Sequence, residues 1–164
     1  MRRLFCMGLG LFLAWAVAAQ AAPGQESLAI DREHVRVWTV DYPGEPLRGF
    51  RAVTTVRSSL SALVSLLTDT SVATDWLYRT KRMQLLHSDP RAGTFTVVAE
   101  MDFWPLPNRD AVVEGRLHQD PVTHVVTIES RAVRSDAVPP RPGVLRMHDM
   151  RGRWEFRPLG DGLD

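Results

Sequence analysis

Between Phe103 and Val113 the chain reads FWPLPNRDAVV. An apolar segment runs into two prolines, stops, and restarts through an Arg-Asp pair into a second apolar segment. Proline has no N–H and a fixed φ, so Pro105 and Pro107 interrupt any strand ladder at a defined place. The flanks are rich in β-branched and aromatic residues, which favour strands. Phe95 to Phe103 and Ala111 to His118 are therefore predicted as two strands joined through a Pro-x-Pro turn. A chain built around this segment is β-rich.

The remaining pattern fits around it. Val35 to Val40 and Phe50 to Val56 alternate like strands, and the Pro43-Gly-Glu-Pro46 turn makes them a hairpin. Leu60, Leu63, Val64 and Leu67 fall at i, i+3, i+4 and i+7, which predicts a helix over 59–69 with Ser58 or Ser59 as its N-cap. Thr70 to Leu77 adds a short helix carrying Trp76. Met83 to His87 and His124 to Val133 read as further strands. Ser135 to Gly143, with Pro139, Pro140 and Pro142, reads as a loop. Val144 to Met150 and Arg153 to Arg157 are the last two strands. Residues 22–33 are polar and read as a flexible lead-in. The order is hairpin, helical insert, antiparallel meander: an α+β fold with a strongly curved antiparallel sheet.

The N-terminus has the form of a targeting segment. Arg2 and Arg3 precede an apolar run from Leu4 to Val17, and Ala19-Gln20-Ala21 is a small-x-small cleavage site. The run is short for a membrane span of about 20 residues. Residues 1–21 are expected to be a signal peptide, with an uncleaved anchor as the alternative. The protein is then exported, to a bacterial periplasm or beyond. Cleavage removes Cys6, the one cysteine of the 164-residue chain, so neither disulfide nor thiolate metal site is expected. It also takes the formal charge from +1 to −1, which argues against nucleic acid as a partner. At the other end, Gly152 to Arg157 alternates as a strand and Pro158 to Gly162 reads as a hairpin turn with no returning strand. An edge strand is usually covered, so the sequence reads as an incomplete domain, a fragment or an early stop, spanning 34–164.

Five features in order resemble the START/polyketide-cyclase-like superfamily. They are the hairpin ending in Phe50-Arg-Ala-Val-Thr-Thr-Val56, the helix over 59–69, Trp76 after Asp69-Thr-Ser-Val-Ala-Thr-Asp75, the segment Phe103 to Asp110, and the late pair Val144-Leu-Arg146 and Gly152-Arg-Trp154. The likeness spans about residues 33–162. It implies a helix-grip fold, in which a curved sheet wraps a long C-terminal helix, and an apolar tunnel that binds or transfers a lipid or sterol-like molecule. The C-terminal lid helix and the strands before it have no counterpart in this sequence.

A tunnel for an apolar ligand needs a concave, mostly apolar lining with a few polar groups. Alternation places Val97, Ala99, Met101 and Phe103, then Val113, Gly115 and Leu117, then Val126, Ile128 and Ser130 on one face. Met101, Met147 and Met150 are flexible and polarizable. Expected lining residues are Trp76, Val97, Ala99, Met101, Phe103, Trp104, Arg109, Val113, Ile128 and Met147. Each also has a plain reading as core. Arg109 either meets a ligand's polar head at the tunnel mouth or, with Asp110, pins the turn, Asp110 accepting backbone N–H groups freed by Pro105 and Pro107. Trp76, Trp104 and Trp154 either line the tunnel or anchor the insert and the sheet corner. Arg146 is expected to point toward Glu129 or Glu114.

Catalysis finds little support. The histidines His34, His87, His118, His124 and His148 have no i+4 ligand partner, and no Gly-x-Ser-x-Gly elbow or phosphate-cradling loop occurs. No cofactor and no metal is expected, and the chain is read as a binding protein rather than an enzyme. Its partner is a hydrophobic small molecule or lipid, with transient membrane contact. The alternative is a cyclase- or hydrolase-like enzyme of the same fold using Glu100, Asp102 or Glu114, or a non-functional truncated fragment.

Overall fold

The computed structural model describes residues 24–160. The segment read as a signal peptide, residues 1–21, lies outside them, as does the end of the Pro158–Gly162 turn. The described residues form two compact units, 24–56 and 57–160.

The first unit is a three-stranded antiparallel sheet of β1 (Gln25–Arg32), β2 (Val35–Asp41) and β3 (Gly49–Thr54), in that order. β2 and β3 are the expected hairpin, with Val35 opposite Thr54 and Val40 opposite Gly49. The stretch read as a flexible lead-in is instead mostly β1. Its sequence is misleading because every residue of it is exposed; the backbone ladder to β2 holds it, with a bulge between Leu28 and Ile30. The β1–β2 turn is Glu33-His34, both at positive φ (51° and 68°), as a two-residue I′ turn requires. Asn-Gly or Asp-Gly would have announced it; Glu-His does not. Across this sheet Arg51 lies over the Trp38 ring, 3.9 Å from its centroid, and donates to both carboxylate oxygens of Glu26.

The second unit starts with two helices, α1 (Leu60–Thr68) and α2 (Ala73–Trp76). Ser59 caps α1, its Oγ accepting the Ala62 N–H at 3.2 Å, and Leu60, Leu63, Val64 and Leu67 form its half-buried stripe. Then come β4 (Thr80–Asp89), β5 (Thr94–Met101), β6 (Asn108–Gln119), β7 (Val126–Val133), β8 (Val144–Arg146) and β9 (Arg151–Phe156). The strand order is β4-β5-β6-β7-β9, with β8 beside β6. Two turns of the meander share one device. Asp89 Oδ1 accepts the N–H groups of Arg91 and Ala92, and Asp120 Oδ1 those of Val122 and Thr123. Each Asp is followed by a proline, which leaves the side chain to satisfy the next two free donors. Among the described residues no helix follows β9.

β8 departs from the expected meander. Only Val144 to Arg146 of the predicted strand pairs, and it does so in parallel with Asn108 to Asp110. β6 is long enough for both neighbours to share one edge, β7 against Val112 to Gln119 and β8 against the first three residues. The cause is the 134–143 segment. Its prolines cannot donate to a ladder, so the chain leaves the sheet after Val133 and returns at the start of β6.

A buried ionic network holds that return. Asp110, 1% exposed, accepts from Arg146 Nε at 2.6 Å and Nη2 at 3.1 Å. Arg146 also donates to the Val138 carbonyl at 3.0 Å, tying the proline-rich segment down. Glu100, opposite Asp110 in the β5–β6 ladder, accepts from Asn108 at 2.9 Å and from Arg141 at 2.6 Å. Two expectations are corrected here. Asp110 takes guanidinium donors rather than turn N–H groups; the Trp104 N–H goes to Asp102 Oδ1 at 3.1 Å. Arg146 meets Asp110, while Glu129 pairs with Arg153 and Glu114 with Arg131.

The Arg146 hydrogen bonds hold the Asp110 carboxyl below the ordinary carboxylate range, and those from Arg141 and then Asn108 do the same for Glu100. A depressed folded-state pKa contributes stability above the unfolded value, lost as pH falls through the folded one. The urea midpoint should therefore hold from neutral pH to about pH 5 and fall steeply below about pH 4.5. Asp110→Asn strands the Arg146 charge, whose side chain is 9% exposed. Denaturant titration at pH 7 should show a loss on the order of 3 kcal/mol and a shallower acid decline. A second expectation comes from Gly115, which faces Phe95 across β5–β6. A Cβ there would stand 2.0 Å from the Phe95 ring, so Gly115→Val should cost about 1–3 kcal/mol by overpacking.

Candidate functional site

The two faces of the six-stranded sheet differ in chemistry. Side chains alternate along a strand, so register fixes which residues share a face. Val97 lies opposite Val113, Ala99 opposite Ala111, and Met101 opposite Arg109. Val113 lies opposite Ala132 and Leu117 opposite Ile128, and Ile128 opposite Trp154. This is the apolar face. The opposite face carries a row of Val98, Val112 and Val133 flanked by Glu100, Asp110, Glu114, Glu129 and Arg131, and so holds the ionic network described above.

The middle of the apolar face is packed. Val97, Ala111 and Val113 form a buried cluster, with Ala111 fully inaccessible, and Met83, Phe95, Ala132, Met147 and Met150 lie against it half-buried. Ile128 and Ala99 are buried as well. At one end Met101, Phe103 and Arg109 are half-buried, with the Arg109 guanidinium 4.1 Å from the centroid of the Phe103 ring. Nη1 of Arg109 is buried and has no hydrogen-bond partner.

Trp76 and Trp154 bridge the face. α2 delivers Trp76 just before β4, one edge of the sheet, and Trp154 sits on β9, the other edge. Four inter-strand steps of about 4.8 Å separate these edges, yet the two ring centroids are 6.3 Å apart in an edge-on arrangement. The sheet is therefore curled about its apolar side. Trp154 also stacks on Phe156 at 6.4 Å, and the buried Nε1 of Trp76 has no acceptor.

The structure thus brings Val97, Ala99, Met101, Arg109, Val113 and Ile128 to one face, with Met147 packed on it, Phe103 under Arg109, and Trp76 against its far edge strand. Trp104 stands apart. It is 76% exposed in the turn that the Leu106 N–H closes onto the Phe103 carbonyl at 2.8 Å. Met83, Phe95 and Ala111 are not among the expected lining residues, and alternation leaves Trp154 between the lining and the sheet corner. Ala111 and Phe95 were findable from the same alternation; Trp154 required the curl. The carboxylates weighed for catalysis are all engaged: Glu100 by Arg141 and Asn108, Glu114 by Arg131 on the opposite face, Asp102 by the Trp104 N–H. Among the described residues no group of three or more His, Cys, Asp or Glu is placed to hold a metal. A separate cleft of about 370 Å³ is lined by Arg134, Asp136, Pro139, Arg146 and His148; its lining is polar and mixed.

No family model matches the chain. It is similar to an uncharacterized protein of Pseudomonas aeruginosa, 24% identical over 99% of this chain and 79% of that protein. Among solved structures it is similar to a STAR-related lipid transfer protein from Xanthomonas axonopodis, with a TM-score of 0.75 and 27% identity over 84% of this chain and 76% of that one. Human StAR-related lipid transfer protein 5 superposes with a TM-score of 0.72 at 14% identity, over 82% of this chain and 65% of that one, a likeness of fold. With its helical insert, Pro-x-Pro turn and curled antiparallel sheet, the chain has the START-type, helix-grip fold.

Proposed function

We propose that the protein binds, and transfers between membranes, a hydrophobic lipid or sterol-like molecule along the apolar face of its six-stranded sheet. The observation that carries this reading is the pairing of a START-type fold with a curled sheet whose inner face is apolar and centred on Val97, Ala111 and Val113. The neighbours from Xanthomonas and human are both described as lipid-transfer proteins, which supports the same class of ligand. Met83, Met147 and Met150 rest half-buried on the face; thioether side chains repack at low cost and suit a site whose occupant varies in shape. Binding rather than catalysis is favoured because Glu100, Asp102 and Glu114 are each committed to a structural partner. The Arg-flanked apolar N-terminus supports export to a periplasm, where a carrier meets membranes transiently.

Organic extraction of the purified protein followed by lipid mass spectrometry tests the proposal. A near-stoichiometric apolar ligand is expected. Met101→Asn, on the apolar face, should lower bound lipid about 10-fold by placing an unpaired amide against it. Glu114→Gln, on the opposite face, should leave it unchanged. A folded protein that carries no lipid and takes up none from vesicles would sink the reading.

A further inference from the structure

The apolar face carries one charge. At the register-paired positions of β5, β6, β7 and β9 on this side, every residue is apolar, glycine or serine except Arg109 and, at the far end of β6, the uncharged Gln119. An arginine in such a place is normally paired with a carboxylate, since a desolvated guanidinium is costly alone. Arg146 and Arg141, on the other side of the sheet, follow that rule with Asp110 and Glu100. Arg109 does not. Among the described residues it has no ion-pair or hydrogen-bond partner, its Nη1 is buried and unsatisfied, and its one marked contact is the Phe103 ring at 4.1 Å. Stacking on an aromatic ring fixes the guanidinium plane and leaves its in-plane N–H fork free. The second buried and unsatisfied polar atom near this face, Nε1 of Trp76, is also a donor. Both open positions therefore ask for acceptors.

We infer that the ligand of the apolar face is an amphiphile with an oxyanion head, a carboxylate or a phosphate, held by Arg109, its hydrocarbon chain running past Met101 and Phe103 toward the Val97–Val113 cluster. A planar fork of N–H donors matches two oxygens of one oxyanion, and such charge-assisted pairs are stronger than neutral ones. A ligand whose only polar group is one hydroxyl would leave most of that donor capacity unmet. The inference rests on the ligand-binding reading above and narrows it from any hydrophobic molecule to an anionic one.

The test compares three probes with one hydrocarbon chain and different heads: oleic acid, oleyl alcohol and oleoyl lysophosphatidic acid. Each is titrated into the full protein at neutral pH and followed by tryptophan fluorescence. At least one anionic probe should bind about 10-fold or more tightly than the alcohol, and whichever of the two is tighter identifies the head. Arg109→Leu should erase that preference, weakening the anion about 10-fold while changing the alcohol less than about 2-fold. Arg109→Lys, which keeps the charge but not the fork, should fall between. Equal affinity for alcohol and both anions in the unmodified protein overturns the inference and leaves lipid binding standing. The same follows if folded Arg109→Leu keeps the preference. Failure of all three probes to bind overturns both. The comparison in the unmodified protein decides the matter even if a variant does not fold.

Discussion

The ion pair between Asp110 and Arg146 determines where the last third of the chain goes. Asp110 sits near the start of the longest strand, almost wholly inaccessible. A carboxylate there must be paired or it destabilises the fold. Arg146 is the partner within reach only if the chain after β7 turns back to the start of β6, and that is the path taken. The parallel β8 pairing, the bond from Arg146 to the Val138 carbonyl and the Arg141–Glu100 contact depend on this closure. Burial of an ion pair adds little net stability compared with an apolar packing; here its effect is to select one route out of those a proline-rich segment could take.

The same strand separates two neighbouring charges by parity. Arg109 and Asp110 are sequence neighbours and so emerge on opposite faces of β6. Asp110 enters the network that fixes the backbone, and Arg109 is left on the apolar side beside Phe103. The turn that begins with Pro105 and Pro107 sets the register in which this happens: Met101 opposite Arg109 and Glu100 opposite Asp110. A one-residue slip would exchange the two roles, bury Arg109 in the network and expose Asp110 to the apolar face. The Pro-x-Pro turn therefore fixes which face each charge takes as well as connecting two strands.

Elements governed by local chemistry were legible in the sequence. The stripe Leu60, Leu63, Val64, Leu67 and the Ser59 cap gave α1 nearly to the residue, and alternation gave the apolar face of β5, β6 and β7. Elements governed by distant partners were not. β1 looks like a polar tail because its side chains stay in water, and its ladder to β2 turns on an uncharacteristic Glu-His pair. β8 looks like a full meander strand because Val144 to Met150 alternates acceptably, but the edge it joins was already mostly occupied by β7. Alternation points Arg146 toward Glu129 or Glu114 because the return path to β6 has no short-range signal.

By itself the sequence determined the strands that follow β1, the apolar face of β5, β6 and β7, and that a helical insert precedes the meander. Those properties follow from side-chain periodicity and turn chemistry, which act over a few residues. Only the tertiary structure decided which charge meets which, that Trp76 reaches Trp154 across the curled sheet, and that Arg109 lies on the apolar face without a counter-charge. Pairing depends on strand order, register and curl, which bring together residues tens of positions apart and carry no short-range signature.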